Sequence, residues 1–191
     1  ADTKLFSAYI LSDAALDKRL RVVLGARIES SVQQIDSFDP FAADLTRLTS
    51  SLDRNDLLPS LSLIATLSDS LKLRASITKT VARPQLRELA PFTFTDYFGA
   101  REIQGNPNLD RSQILNADLR LEWLPTLNEV LAASFFYKKF DKPIEQIIIP
   151  SNKGIISYQN AKGAQNAGIE LEARKNLGFA HPALNPFGLV A

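Results

Sequence analysis

The chain has 191 residues, a net charge of +1, 45% hydrophobic and 23% charged residues, and no cysteine. That length suits one ordinary domain or part of a larger one. The lack of thiols excludes a disulfide scaffold and a thiolate metal site, and the lack of a basic block interleaved with aromatics argues against a nucleic-acid partner. No stretch approaches the roughly 18 apolar residues of a transmembrane helix, a criterion that does not detect transmembrane strands. The opening ADTKLFSAYI has neither the basic nor the apolar region of a signal peptide, so a processed or cut N-terminus is expected.

Leu5 to Leu16 is expected as a first strand with open facing, because Phe6, Ala8 and Ile10 compete with Leu5, Tyr9 and Leu11 for the apolar side. After a turn at Asp17 and Lys18, a second strand places Leu20, Val22, Leu24, Ala26 and Ile28 on one side. Arg21, Arg27 and Glu29 lie on the other, which Val23 and Gly25 share, since strand side chains alternate. From Ile35 to Asp56 the alternation is lost, and Pro40 with several aspartates predicts a long loop containing a short helical turn.

The stretch from Leu57 to Arg83 predicts a hairpin turning at Asp69 and Ser70. Leu57, Leu61, Leu63, Ala65 and Leu67 share its apolar face with Leu71, Leu73, Ala75 and Ile77; Lys72, Arg74, Ser76, Thr78 and Thr80 face the other way. A strand of about eleven residues at ~3.4 Å each, tilted by ~45°, rises about 26 Å, close to the ~25 Å apolar band of an outer-membrane barrel. The average soluble strand has about five or six residues, although a half-buried strand of a soluble sandwich alternates in the same way.

Val81 to Gln113, with Pro84, Pro91, Gly99, Gly105 and Pro107, predicts a second long loop. A fifth strand, Ile114 to Trp123, sets Leu115, Ala117, Leu119, Leu121 and Trp123 against Asn116, Asp118, Arg120 and Glu122. Trp123 fits either a membrane interface or the core at a sheet edge. A sixth, Glu129 to Phe140, sets Leu131, Ala133, Phe135 and Tyr137 against a partly apolar side holding Val130, Ala132 and Phe136. Asp141 to Gln165 is expected as a third long loop, with a small strand at Ile147 to Ile149. A seventh strand sets Ile169, Leu171 and Ala173 against Glu170, Glu172 and Arg174, and an eighth begins near Phe187. Short turns on one side thus alternate with connections expected to exceed about twenty residues on the other, the asymmetry of outer-membrane barrels.

Several segments, in order, resemble the β-barrel of TonB-dependent outer-membrane receptors: a Leu-Pro-Ser entry at Leu58, an Arg-Pro exit at Arg83, a Gly-Asn-Pro-x-Leu loop at Gly105, a Phe-Tyr-Lys strand end at Phe136 and a Gly-x-Glu-Leu-Glu strand at Gly168. The resemblance implies an all-β, antiparallel up-and-down transmembrane barrel segment with long extracellular loops and short periplasmic turns. Its seven or eight strands would belong to a barrel of about 22. Residues 1–191 are accordingly expected to be a partial barrel domain without its plug or C-terminal strands. The implied function is active import of a large scarce nutrient across the outer membrane of a Gram-negative bacterium: a ferric siderophore, cobalamin or an oligosaccharide. Implied partners are outer-membrane lipid, the TonB energy-coupling complex through the plug, and the extracellular ligand. A passive porin-type barrel and a soluble β-sandwich binding module are the alternatives.

On this resemblance Arg74, Asp118, Arg120, Glu122, Glu170 and Glu172 line the lumen, and Trp123 and Tyr137 mark the membrane interface. Arg83, Arg87, Phe92, Phe94, Tyr97 and Phe98 are ligand-contact candidates. For the aromatics, stacking on a catecholate or sugar competes with packing the loop on itself. For Arg83, ligand contact competes with marking, together with Pro84, the strand's exit from the sheet. Catalytic, metal-binding and cofactor-binding residues are not expected. The sole histidine, His181, stands in the Pro-rich turn HPALNP without a second ligand at a suggestive spacing. The Glu170 and Glu172 pair reads as alternating wall residues, and GAQNAG (163–168) precedes a strand rather than the helix that phosphate binding needs.

Overall fold

A computed structural model describes residues 1–38, 47–95, 97–126, 129–150, 154–184 and 187–190. Eight strands form one antiparallel sheet in the spatial order β1 (Asp2–Ala15), β2 (Leu20–Phe38), β3 (Arg47–Ser68), β4 (Leu71–Ala82), β7 (Ser112–Trp123), β8 (Val130–Asp141), β11 (Gly163–Asn176) and β12 (Gly188–Val190). Every neighbour is also the next strand of this sheet in sequence, which is up-and-down topology. A second sheet, β5 (Thr93–Phe94), β6 (Ile103–Gln104), β10 (Ile155–Asn160) and β9 (Ile144–Ile149), is built from the connections on one side. With it comes a single helical turn, α1 (Leu86–Leu89).

The pairing resolves the facing of β1. Ala8 lies opposite Ile28 and Ile10 opposite Ala26, so Phe6, Ala8 and Ile10 share the apolar face, while Tyr9 and Leu11 oppose Arg27 and Gly25 on the polar face. From there the apolar face runs without a break: Leu63, Ala75, Leu119, Phe135 and Ile169 make one row, and Ala65, Leu73, Leu121, Ala133 and Leu171 the next. This face is open, with Leu119 46% and Ile169 74% exposed. A sandwich would bury such a face under a second sheet.

Three expected loops contain more structure than the sequence suggested. The stretch from Ile35 to Asp56 is mostly strand: β2 runs 19 residues and β3 runs 22, paired up to Phe38 and Arg47. Their connection is therefore much shorter than twenty residues. Alternation fades there because the covered side of this ribbon buries polar residues, Ser31, Gln33, Ser50 and Asp56, beside Ile35 and Leu52, so neither side is uniformly apolar. Residues 39–46, on which part of the expected helical turn falls, lie outside the described residues. Pro59 marks where β4 parts from β3: pairing of β3 with β4 stops at Ser60 and Thr78, while pairing with β2 continues through Pro59 opposite Ala26. A proline nitrogen offers no hydrogen to a second neighbour.

The segments at 81–113 and 141–165 supply the second sheet, and β11 starts at Gly163, so GAQNAG is itself strand. These connections fold back over the polar side of the β2–β3 ribbon and hold the one sizeable buried cluster among the described residues: Ile35, Leu52, Leu89, Ala90, Ile103, Leu109 and Tyr158. Burying a leucine as completely as Leu89 contributes about 2 kcal/mol.

Gly105 fixes how closely this cluster closes. A Cβ there would stand 2.2 Å from the carbonyl oxygen of Ala90 and 2.8 Å from that of Arg87. Gly105→Ala is expected to push the strap, the segment 103–111 that runs from β6 to β7, off α1 at a cost of about 1–3 kcal/mol. Faster proteolysis within residues 85–110, with the barrel wall still folded, would register it.

Candidate functional site

The Arg-Pro exit of β4 is where wall and loop cluster meet. Pro84 is fully buried and its carbonyl accepts from Gln33 Nε2 at 2.9 Å. Arg83 turns back to the wall, its Nη2 2.7 Å from Glu29 Oε2 and 3.3 Å from Asp56 Oδ2, its Nε donating to Ser31 Oγ at 3.0 Å. Asp56, whose side chain is 0% exposed, also binds Arg111 Nε and accepts from Gln113 Nε2 at 3.3 Å. Beside it Asp110 takes Arg54 Nε at 2.9 Å and Lys142 Nζ at 3.0 Å. One charged knot therefore joins β2, β3, the strap after β4 and the approach to β9. Arg83 sits inside it as a strut, its side chain 19% exposed.

Burial alone would raise the carboxyl of Asp110, but hydrogen bonds from Arg54, Lys142 and the Arg111 backbone, with the charge of Arg54, outweigh it and hold the group at about 2. A carboxyl lowered on folding stabilises above its unfolded value of about 4 and loses that contribution as pH falls through about 2. Acidification from pH 4 to pH 2 should therefore withdraw roughly 2 kcal/mol from the knot. Amide exchange of residues 104–111, corrected for intrinsic rates, should accelerate over that window in the native protein and be fast already at pH 5 in Asp110→Asn.

The Gly-Asn-Pro-x-Leu motif ties the cluster together. Asn106 donates from Nδ2 to the Tyr158 carbonyl at 2.9 Å and accepts on Oδ1 from the Asn108 backbone at 2.9 Å. The Pro107 carbonyl accepts from Ser50 Oγ at 3.3 Å, and Leu109 enters the buried cluster. Asn160 locks the next turn, its Oδ1 accepting from the Asp110 backbone at 2.7 Å and its Nδ2 donating to the carbonyls of Asp110 and Lys142. Between cluster and wall lies a cavity of about 360 Å³, bordered by Gln85, Glu88, Ile114, Phe140, Gln146 and Tyr158.

Arg74, Asp118, Arg120, Glu122, Glu170 and Glu172 all fall on the polar face of β4, β7 and β11. Arg120 is the hub: Nε lies 2.8 Å from Glu122 Oε1, Nη2 2.6 Å from Glu172 Oε2, and Nη1 donates to Ser134 Oγ at 3.0 Å. Arg74 Nε binds the other oxygen of Glu122 at 3.1 Å. Phe136 on this face lies flat over Gly168 directly opposite, where a Cβ would meet the ring at 2.5 Å. That contact couples the Phe-Tyr-Lys and Gly-x-Glu-Leu-Glu motifs, the aromatic covering a residue with no side chain of its own.

The loop aromatics divide. Phe94 packs against the buried cluster, edge to face with Phe92 at 6.1 Å, and Arg87 stacks over the Phe94 ring at 5.4 Å. Tyr97 and Phe98 project into solvent. His181 accepts the Ala183 backbone N–H on Nδ1 at 3.2 Å, a local turn contact.

Charged rows bracket the apolar face. Glu129 and Lys175, 2.8 Å apart, lie at the short-turn end; Lys79, Leu115 and Lys139 make a row at the loop end. From Glu129 to Lys139 along β8 is ten residues, about 34 Å of strand, or roughly 24 Å along the normal at ~45° tilt. Trp123 and Tyr137 lie within that band on the apolar face, near its two ends.

A family model described as TonB dependent receptor-like, beta-barrel, matches residues 1–190. Comparison of the sequence with curated proteins finds no match. Among solved structures, the siderophore receptor PirA from Acinetobacter baumannii is 17% identical, with a TM-score of 0.64 over 92% of this chain and 26% of that one. The Serratia marcescens hemophore receptor HasR, a double mutant in complex with its hemophore HasA and heme, is 15% identical, with a TM-score of 0.68 over 90% of this chain and 32% of that one. A mutant (Q482A) of the ferric enterobactin receptor PfeA from Pseudomonas aeruginosa, in complex with enterobactin, is 16% identical, with a TM-score of 0.58 over 92% and 34%. The chain thus spans about a quarter to a third of the length of these structures, and the likeness establishes the barrel fold.

Proposed function

Because this chain belongs to the family of TonB-dependent receptor β-barrels, we propose that it forms part of the wall of an outer-membrane active transporter of a Gram-negative bacterium. Its apolar face meets lipid and its polar face the lumen. The observation that carries this reading is the apolar band bounded by Glu129–Lys175 and Lys79–Lys139, whose height matches a bilayer. The wall does no covalent chemistry. A plug within the completed barrel closes the path, and TonB supplies the energy that rearranges it.

The cargo in this reading is an iron chelate, a ferric siderophore or heme, as in the similar receptors for siderophores and for a heme-carrying hemophore. Tyr97 and Phe98, exposed on the loop cluster, offer π faces to a catecholate or porphyrin, and Phe92 is half-exposed. Arg120, Glu122 and Glu172 line the passage below.

The test is radioiron uptake in cells that carry the intact receptor as their sole route. Energised cells should accumulate the chelate, and collapse of the proton gradient should abolish accumulation. Uptake that survives the collapse would instead mark a passive porin. Tyr97→Ala with Phe98→Ala should weaken surface binding by about tenfold, ~1.4 kcal/mol, while the barrel stays folded. Unchanged binding would remove these aromatics from the contact set.

A further inference from the structure

The apolar face is not smooth. Near its short-turn end Ala133 and Ala173 replace the large side chains of neighbouring positions, and Leu121, Trp123, Leu131 and Leu171 stand around them. The result is an open notch of about 440 Å³ with almost wholly apolar walls. Strand register explains it: Leu121, Ala133 and Leu171 form one row and Trp123, Leu131 and Ala173 the next, so the two alanines sit diagonally and leave a slot across three strands.

The row immediately beyond is charged. Lys175 Nζ lies 2.8 Å from Glu129 Oε1 and 5.8 Å from the centre of the Phe179 ring, and its side chain is 43% exposed. Glu129 occupies one of the three donors of that ammonium, so the group can still bind an anion arriving from the membrane boundary. Apolar slot, indole and outward lysine are thus stacked along the normal in the order of a phospholipid's own parts: acyl chain, glycerol region, phosphate.

We infer that this notch and Lys175 form a phospholipid site in the periplasmic leaflet, with an acyl chain between Ala133 and Ala173 and the lipid phosphate on Lys175. The proposal rests on the outward facing of the apolar surface given above. The notch is continuous with that lipid-facing band, and the Lys175 ammonium at its rim, paired on one side with Glu129, turns its remaining N–H donors to a phosphodiester. One bound chain would also fill the gap that these two small residues leave between Leu121, Trp123, Leu131 and Leu171.

Native mass spectrometry of the intact receptor, released from detergent with added phosphatidylglycerol or with the matching diacylglycerol lacking phosphate, tests this. Wild-type protein should retain one phosphatidylglycerol well above the level of diacylglycerol. Ala133→Phe and Ala173→Phe should each reduce retention at least about tenfold by filling the slot, as should Lys175→Gln, which leaves the slot intact. Ala75→Phe, placed elsewhere on the same face, should change nothing. Heat-modifiable migration confirms that each variant is folded. Equal retention by all variants, an equal loss in Ala75→Phe, or equal retention of the phosphate-free lipid would overturn the site. The facing itself fails independently, through the arginine substitutions at Leu73 and Leu119 argued below.

Discussion

Asp56→Ala is expected to loosen the loop cluster by about 3–5 kcal/mol, the largest effect of any single truncation proposed for this chain. The reason is what it leaves behind. The Asp56 side chain is wholly buried, and one of its oxygens receives Arg111 and Gln113 while the other receives Arg83. Removing the carboxylate keeps two guanidinium groups in place, 19% and 16% exposed, with one anion fewer to share. Uncompensated charge of this kind costs far more than the net worth of the original pairs, because desolvation has already been incurred on both sides. Asp56→Asn retains the shape and one acceptor and should fall between the native protein and the alanine variant. The effect is local, so amide exchange across residues 83–111 should rise by orders of magnitude while the lower rows of β4, β7 and β8 keep their protection. Uniform acceleration through the whole sheet would contradict the division into a wall and a strapped cluster.

Leu73→Arg and Leu119→Arg in the intact receptor should each cost about 2–4 kcal/mol in reversible folding into bilayers, as an arginine near the midplane of a barrel's lipid face does. Both leucines lie in adjacent rows of the apolar face, midway between the charged rows at its ends. Arg74→Ala, one position along the same strand, points the other way and breaks a contact to Glu122 that is 48% exposed on the arginine side. It should cost less than about 1 kcal/mol. The contrast between neighbours one residue apart is the measurement; equal costs would reverse or abolish the assigned facing.

The strands were legible in the sequence wherever water and lipid impose opposite demands on successive residues. β4 and β7 follow the pattern nearly residue for residue, and Glu170 and Glu172 take the polar side of β11. The pattern fails where the covered side of a strand is itself largely polar, as Ser31, Gln33, Ser50 and Asp56 are. Above Pro59 the β2–β3 ribbon carries polar residues on both faces, so a paired stretch read as a loop. In β1 two apolar sets compete because Tyr9 and Leu11 occupy the polar face, and only pairing to β2 decides between them.

The charged knot was the least accessible feature. Its members Glu29, Arg54, Asp56, Arg83, Asp110, Arg111 and Lys142 are scattered over more than a hundred positions, and no spacing relates them. The available signal is the Arg-Pro pair, whose arginine reads from sequence as a ligand contact or a strand exit because nothing there marks its carboxylate partners. The recurring motifs, by contrast, acquire physical meanings: Gly105 permits close approach to α1, Asn106 bridges to β10, and Gly168 accommodates the ring of Phe136.

The tall ribbon also constrains how such a wall can change over evolutionary time. Glu29 and Asp56 oppose one another in register immediately above the Ile28–Leu57 pair. One residue inserted in each strand below them would swing both carboxylates to the outside and take from Arg83 both its carboxylate partners and from Arg111 its contact with Asp56, because facing has a period of two. Length variation here is therefore quantised: viable relatives should differ by even numbers of residues in each strand. Each two-residue step lifts the loop cluster by about 7 Å along the strand, so the height of the cluster above the wall is adjustable in discrete increments without redrawing the knot.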